Sequence, residues 1–359
     1  MNSYDLRIME VNQHIGTLYL SKINGNILYK MAKSDILKIY SNSDYEGIQR
    51  ELDLRRVEQI KKYLKTEFSS FPNSIILNID SEKIISAEGD ILKVVMSSDT
   101  FSIIDGQHRL AGFEDGDVED FEVPISIFVD LDISDQALLF STINSEQKKV
   151  DPSQKMSLEK YSKVNTPKKV VTDLAYALNM DEESPWFRRI KLTGRKDVLS
   201  ENGIIALKTF ATPIIDYIYN DADNYVIRDW LNKGKSPESM KNYNKERYIL
   251  WDFYVNERMD AVYKILFNYF CAISKLLPDD WGNSESVLTK TTGYNALMKL
   301  FKDLFKICIE QKDFSEAFMM DRLRGLSKFS GQITADNYGG SGYSSSTKLY
   351  VELKCAVNI

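Results

Sequence analysis

The most chemistry in the shortest span of this 359-residue chain lies in Asp105, Gly106, Gln107, His108 and Arg109. A buried-strand pattern, Phe101-Ser102-Ile103-Ile104, runs into Asp105-Gly106, and the residues from Gln107 onward suit a short helix. Glycine lets the backbone approach a ligand or adopt positive φ. Free N–H groups at a helix start, with the helix dipole, favour an anion. His108 supplies a tunable cation and Arg109 a permanent one suited to bidentate phosphate contact. Asp105 can orient a base or hold Mg2+ through water. The turn therefore reads as a phosphate-handling device, with Asp105, Gln107, His108 and Arg109 as candidate catalytic groups, Gly106 and Arg109 as binding groups and Asp105 as the metal candidate. Strand-Asp-Gly-helix turns are common, so a second reading stays open, with Asp105 as a cap and His108 as a satisfied buried histidine.

The remaining candidates lie elsewhere. Asn144, Gln147 and Lys148 follow one another at the end of a predicted helix and could reach a ribose, a phosphate or a metal; a helix C-cap is the plainer role for Asn144. Arg55 and Arg56 sit beside Glu51 and Glu58, so Arg56 reads either as a phosphate contact or as half of a surface pair. Trp186, Phe187, Arg188, Arg189, Lys191, Arg195 and Lys196 form the densest aromatic and basic run. Aromatic rings stack on bases while Lys and Arg track phosphates, which makes the run the candidate nucleic-acid surface, against a loop packed on the core. Of the two histidines, His14 has nothing around it that supports catalysis. No Cys/His cluster has the spacing of a zinc site, and HExxH is absent.

The elements that must position these groups are interleaved strands and helices over 1–150. Asn24-Gly25 reads as the turn of a β-hairpin between Thr17–Leu20 and Ile27–Tyr29. Asp53 reads as the N-cap of a helix that buries Val57, Ile60 and Leu64. Strands are expected over 74–80, 91–96, 101–104 and 122–130, and a helix over 132–144. From about 151 helical periodicity dominates, with helices over 167–180, 200–219, 247–277, 293–311 and 314–326. Segments 232–246 and 332–346 read as loops, and 348–357 as a closing strand. The fold class is α+β, an N-terminal mixed domain over 1–150 followed by a mainly helical region over 151–359.

Composition bounds the function. With 43% hydrophobic and 27% charged residues the chain can bury a large core. No apolar run is long enough to span a bilayer, and the start lacks the basic and apolar regions of a secretory leader. Three scattered cysteines, Cys271, Cys308 and Cys355, suit a reducing cytoplasm better than a disulfide framework. Residues 1–150 carry 16 Lys+Arg against 25 Asp+Glu, a net −9, and the rest 30 against 27, a net +3. A nucleic-acid surface is therefore expected in the later part.

The stretch IDGQHRLAGF resembles the signature of the DGQHR-domain family, which includes DndB-like proteins of bacterial DNA phosphorothioation. Two flanking runs strengthen the likeness: QRELDLRRVEQIKKYL from Gln49, and FSTINSEQ from Phe140. The three blocks fall in family order over about 45–152, whereas the helical remainder matches only in character. More distantly the turn resembles the phosphate-contacting element of the ParB/sulfiredoxin-like superfamily, and a DGQQR variant occurs in NTPase domains of phage-defence proteins. The resemblance implies a ParB-like nucleotide-binding domain without a P-loop, taking a nucleoside triphosphate, ATP first, with Mg2+. It implies partners in DNA modification or defence, with homo-oligomerisation as a further expectation. It also raises Asn144, Gln147 and Lys148 as ligand contacts. Two functions stay open: nucleotide hydrolysis in a DNA-modification or phage-defence pathway, and a non-catalytic DNA-binding transcriptional regulator. Sulfiredoxin-type transfer is disfavoured, because no cysteine precedes Cys271.

Overall fold

The computed structural model describes residues 2–34, 38–41, 44–46, 52–146, 150–220, 224–237, 244, 246–339 and 343–359. The chain divides into two compact units, Met1–Lys149 and Val150–Ile359. The first carries the larger sheets and the second is mainly helical, so the fold is α+β.

The N-terminal unit is built on a six-stranded sheet in the order β2 (Met9–Gln13), β3 (Gly16–Asn24), β11 (Glu122–Val129), β7 (Ile75–Ile79), β10 (Phe101–Asp105), β4 (Ala32–Lys33). A three-stranded sheet runs β1 (Ser3–Arg7), β9 (Ile91–Val95), β8 (Ile84–Glu88), and β5 (Lys38–Ser41) pairs with β6 (Asp44–Glu46). The central strands β7 and β10 read as apolar runs because both faces are covered. Ile75, Leu77 and Ile103 pack in one cluster with Leu28 of α1 (Gly25–Met31), Leu64 of α2 (Leu54–Leu64) and Leu110 of α3 (Gln107–Ala111). Ile76 and Ile104 face the other way, onto Leu139 and Phe140 of α4 (Ile133–Glu146). Pro124 is tolerated in β11 because the β7 ladder begins only at Ile125, so its missing N–H faces a single neighbour.

Asn24-Gly25 does not turn a hairpin. Asn24 ends β3 and caps α1, its Oδ1 accepting from the N–H groups of Asn26 and Ile27. Leu28 and Met31, three apart, are buried, so helical spacing outweighs the turn dipeptide. The hairpin lies earlier, between β2 and β3, with exposed His14 in its turn. The Asp53 cap of α2 is as expected, accepting from the N–H groups of Arg55 and Arg56.

In the C-terminal unit α6 (Pro167–Met180), α7 (Leu207–Asp216), α10 (Met259–Leu276) and α11 (Thr291–Gln311) enclose one large core around Trp186, Phe210, Phe270 and Tyr294. The segment 247–277 is broken into α9 (Trp251–Val255) and α10, with Glu257 in the left-handed region between them. The segment expected as a closing strand is instead a helix, α14 (Tyr343–Val357). Leu349 and Leu353 are fully buried, and their spacing of four presents one face of a helix. Part of the expected loop 332–346 forms α13 (Ala335–Tyr338) and the start of α14. Among the described residues no helix is long and apolar enough to cross a membrane.

Candidate functional site

Asp105 ends β10, where the pairing with β7 shifts register between Ile103 and Asp105. Gly106 follows with φ 103°, a conformation that side-chain-bearing residues rarely adopt. A Cβ there would also lie 3.0 Å from Nη2 of Arg109 and 3.1 Å from Ile75. The helix it opens, α3, has only five residues, so its macrodipole is small.

Each side chain of the turn reaches a different segment. Buried Gln107 accepts through Oε1 from the hydroxyl of Ser34 at 2.7 Å, beyond β4. His108 accepts through Nε2 from the backbone N–H of Asp53 at 3.1 Å, at the start of α2. That bond needs a lone pair on Nε2, and so the neutral imidazole in its Nδ1–H tautomer. Arg109 donates to the carbonyls of Asn73 (2.5 Å) and Ser74 (3.2 Å), which lead into β7, and to Oδ2 of Asp105 (3.0 Å). Burial lowers the proton affinity of the Arg109 guanidinium, Asp105 opposes that, and nearby Arg56 adds to it. The five residues thus tie together the chain after β4, the start of α2 and the entry to β7.

Of the other expected contacts, Arg56 is exposed on the first turn of α2, close enough to Arg109 to repel it. Farther along α2, Lys61 binds Glu114 and Asp115, both at 3.0 Å, and Lys65 binds Asp117 at 3.1 Å. Among the described residues no carboxylate pairs with Arg56. Asn144 falls in the last turn of α4, and Gln147 and Lys148 lie outside the described residues. Among the described residues no group of three or more His, Cys, Asp or Glu side chains could hold a metal ion. The Asp105 carboxylate is engaged by Arg109 through Oδ2.

The aromatic and basic run is dispersed by the fold. Trp186 is fully buried, packed edge-on against Phe210, Phe270, Trp281 and Tyr294, and offers no face to a base. Arg188 pairs with Glu201 at 3.2 Å. Arg189 lines a groove, Lys191 is half-buried in β12 (Ile190–Lys191), and Arg195 and Lys196 are exposed.

A basic face that the sequence reading missed lies on α11. Lys299, Lys302 and Lys306 are spaced i, i+3 and i+7, over about 10 Å of helix. Burial lowers the Lys302 pKa, and repulsion from Lys306 and Arg247 lowers it further, while Asp303 and Glu246 oppose this. Asp303 is itself engaged, accepting from Tyr350 (2.5 Å) and Lys354 (2.8 Å). The signal was the lysine spacing, masked by the apolar stripe of the same helix.

No curated protein and no solved structure matches the chain. Residues 8–184, just under half of it, match the model of the DndB family, described as DNA-sulfur modification-associated.

Proposed function

We propose that this protein is a DNA-associated regulator in DNA-sulfur modification, that it does not hydrolyse nucleotides, and that the Asp105–Arg109 turn chiefly assembles its N-terminal unit. The observation carrying this reading is the inward engagement of the turn. Arg109 holds Asn73, Ser74 and Asp105, and His108 holds the start of α2. A guanidinium closed on its own carboxylate is not positioned to clamp a transferring phosphoryl group. The association with DNA modification is supported by the family match over 8–184. The DNA contact is assigned by this reading to Lys302 and Lys306 of α11, cations held together against their mutual repulsion. Exposed Arg195 and Lys196 are what it retains of the earlier patch.

A second reading keeps the turn as a site for a nucleoside triphosphate, ATP first, with Mg2+ brought in on the phosphates. Arg56 favours it, as an exposed cation beside Arg109 without a carboxylate partner among the described residues. Phosphate release from ATP, GTP and CTP, with and without DNA, separates the two. The first reading expects no release above buffer. It also expects salt-sensitive DNA retention, with the log–log salt slope falling by about 2 in a Lys302→Ala, Lys306→Ala variant. Release that disappears in Asp105→Asn would overturn it in favour of the second.

A further inference from the structure

A groove of about 560 Å3 opens on the C-terminal unit, lined by Arg189, Phe187, Phe267, Trp281 and the thiol of Cys271. It lies outside the turn and outside the α11 face. Arg189 is half-buried there, and burial lowers its proton affinity with no opposing partner. Among the described residues its guanidinium has no carboxylate or carbonyl partner. Desolvating an uncompensated cation is unfavourable unless something else meets it.

The guanidinium lies against the backbone of Gly282, whose φ is 75°; a Cβ there would lie 2.0 Å from Nη1 of Arg189. The preceding residue, Arg188, is left-handed at φ 55° and tied to Glu201, which fixes the direction in which the chain enters Arg189. A non-glycine residue in that region stores strain, and strain of this kind concentrates at ligand sites. The Trp281 indole donates through Nε1 to the carbonyl of Pro185 at 3.2 Å, which orients its ring. In the lining Glu316 is paired with Lys275, so that carboxylate is engaged away from Arg189, and Glu183 is the other acid.

We propose that this groove binds a phosphate monoester carried on a planar ring, a nucleoside monophosphate, with Arg189 gripping the phosphate and the aromatic walls flanking the base. A guanidinium fork matches phosphate oxygens bidentately. Aromatic side chains stack on any base, and the volume falls within the range of small-molecule sites. The inference does not depend on the role of the Asp105–Arg109 turn.

The test is calorimetric titration of the whole protein with AMP, with adenosine and inorganic phosphate as the two halves of the ligand. Wild type should bind AMP saturably, and each half should bind about tenfold more weakly or worse. Arg189→Gln should lose about tenfold in affinity, Arg189→Lys should lose less, and Arg56→Ala should bind as wild type. Absence of AMP binding by the wild type overturns the proposal. So does wild-type affinity in folded Arg189→Gln or Arg189→Lys, or loss of binding in Arg56→Ala instead. Occupation by DNA with no response to AMP overturns it as well.

Discussion

Replacing Arg109 with alanine removes a guanidinium that binds the carbonyls of Asn73 and Ser74 and the carboxylate of Asp105. The Arg109 and Asp105 side chains are 21% and 29% exposed, so solvent screens their pair only in part. Charge-assisted bonds contribute about 1.5–3 kcal/mol each, and losing one partner of a buried pair costs about 3–5 kcal/mol. The three bonds share one side chain and do not add, so we expect a loss of about 3 kcal/mol for the N-terminal unit. That is about two orders of magnitude in its unfolding equilibrium. The reporter must be local. All four tryptophans, Trp186, Trp230, Trp251 and Trp281, lie in the C-terminal unit, so tryptophan fluorescence follows that unit alone. Hydrogen exchange in peptides covering Ile75–Ile79 and Phe101–Asp105 reads the affected strands. Arg109→Ala should exchange about a hundredfold faster there, with the fluorescence transition unmoved. Unchanged protection of both strands, together with lost ATP affinity, would refute the reasoning and make Arg109 a ligand contact.

Gly106→Ala should destabilise the same strands by about 1–3 kcal/mol, because φ 103° strains any side-chain-bearing residue and Arg109 and Ile75 would have to give way to a Cβ; wild-type exchange would show that the turn relaxes freely. Alkali should weaken the C-terminal unit. Burial pushes the thiols of Cys271 and Cys308 up to about 11 and raises Tyr254 and Tyr294 as well, so the folded state favours the neutral forms. For the thiols that contribution is fully present below their ordinary value near 9 and is lost as the pH rises towards 11. Urea midpoints read by tryptophan fluorescence should fall from pH 8 to pH 10.5, and a flat profile would remove the thiols from the balance.

Local patterns were readable where a single element decided them. The Asp53 cap, the helix Pro167–Met180 and the strand leading into Asp105 follow from capping chemistry and periodicity, which act over a few residues. Where two local signals competed, packing chose between them. Asn24-Gly25 could turn a hairpin or start a helix, and burial of Leu28 and Met31 selected the helix. The apolar residues of 348–357 could serve a strand or a helix, and burial of Leu349 with Leu353 selected the helix.

The candidate site divides along the same line. The sequence alone determined that Asp105, Gly106, Gln107, His108 and Arg109 occupy a strand–turn–helix junction, since strand pattern, glycine and helix start are adjacent in the chain. Only the tertiary structure decided what those groups touch. The partners of Arg109, Asn73 and Ser74, lie more than thirty residues earlier, and that of His108, Asp53, still farther back. The same holds for the run from Trp186 to Lys196, contiguous in sequence but divided between core, ion pair, groove and surface. Residue type and spacing specify which groups are available, whereas burial and pairing, which depend on segments distant in the chain, determine which of them remain free to act.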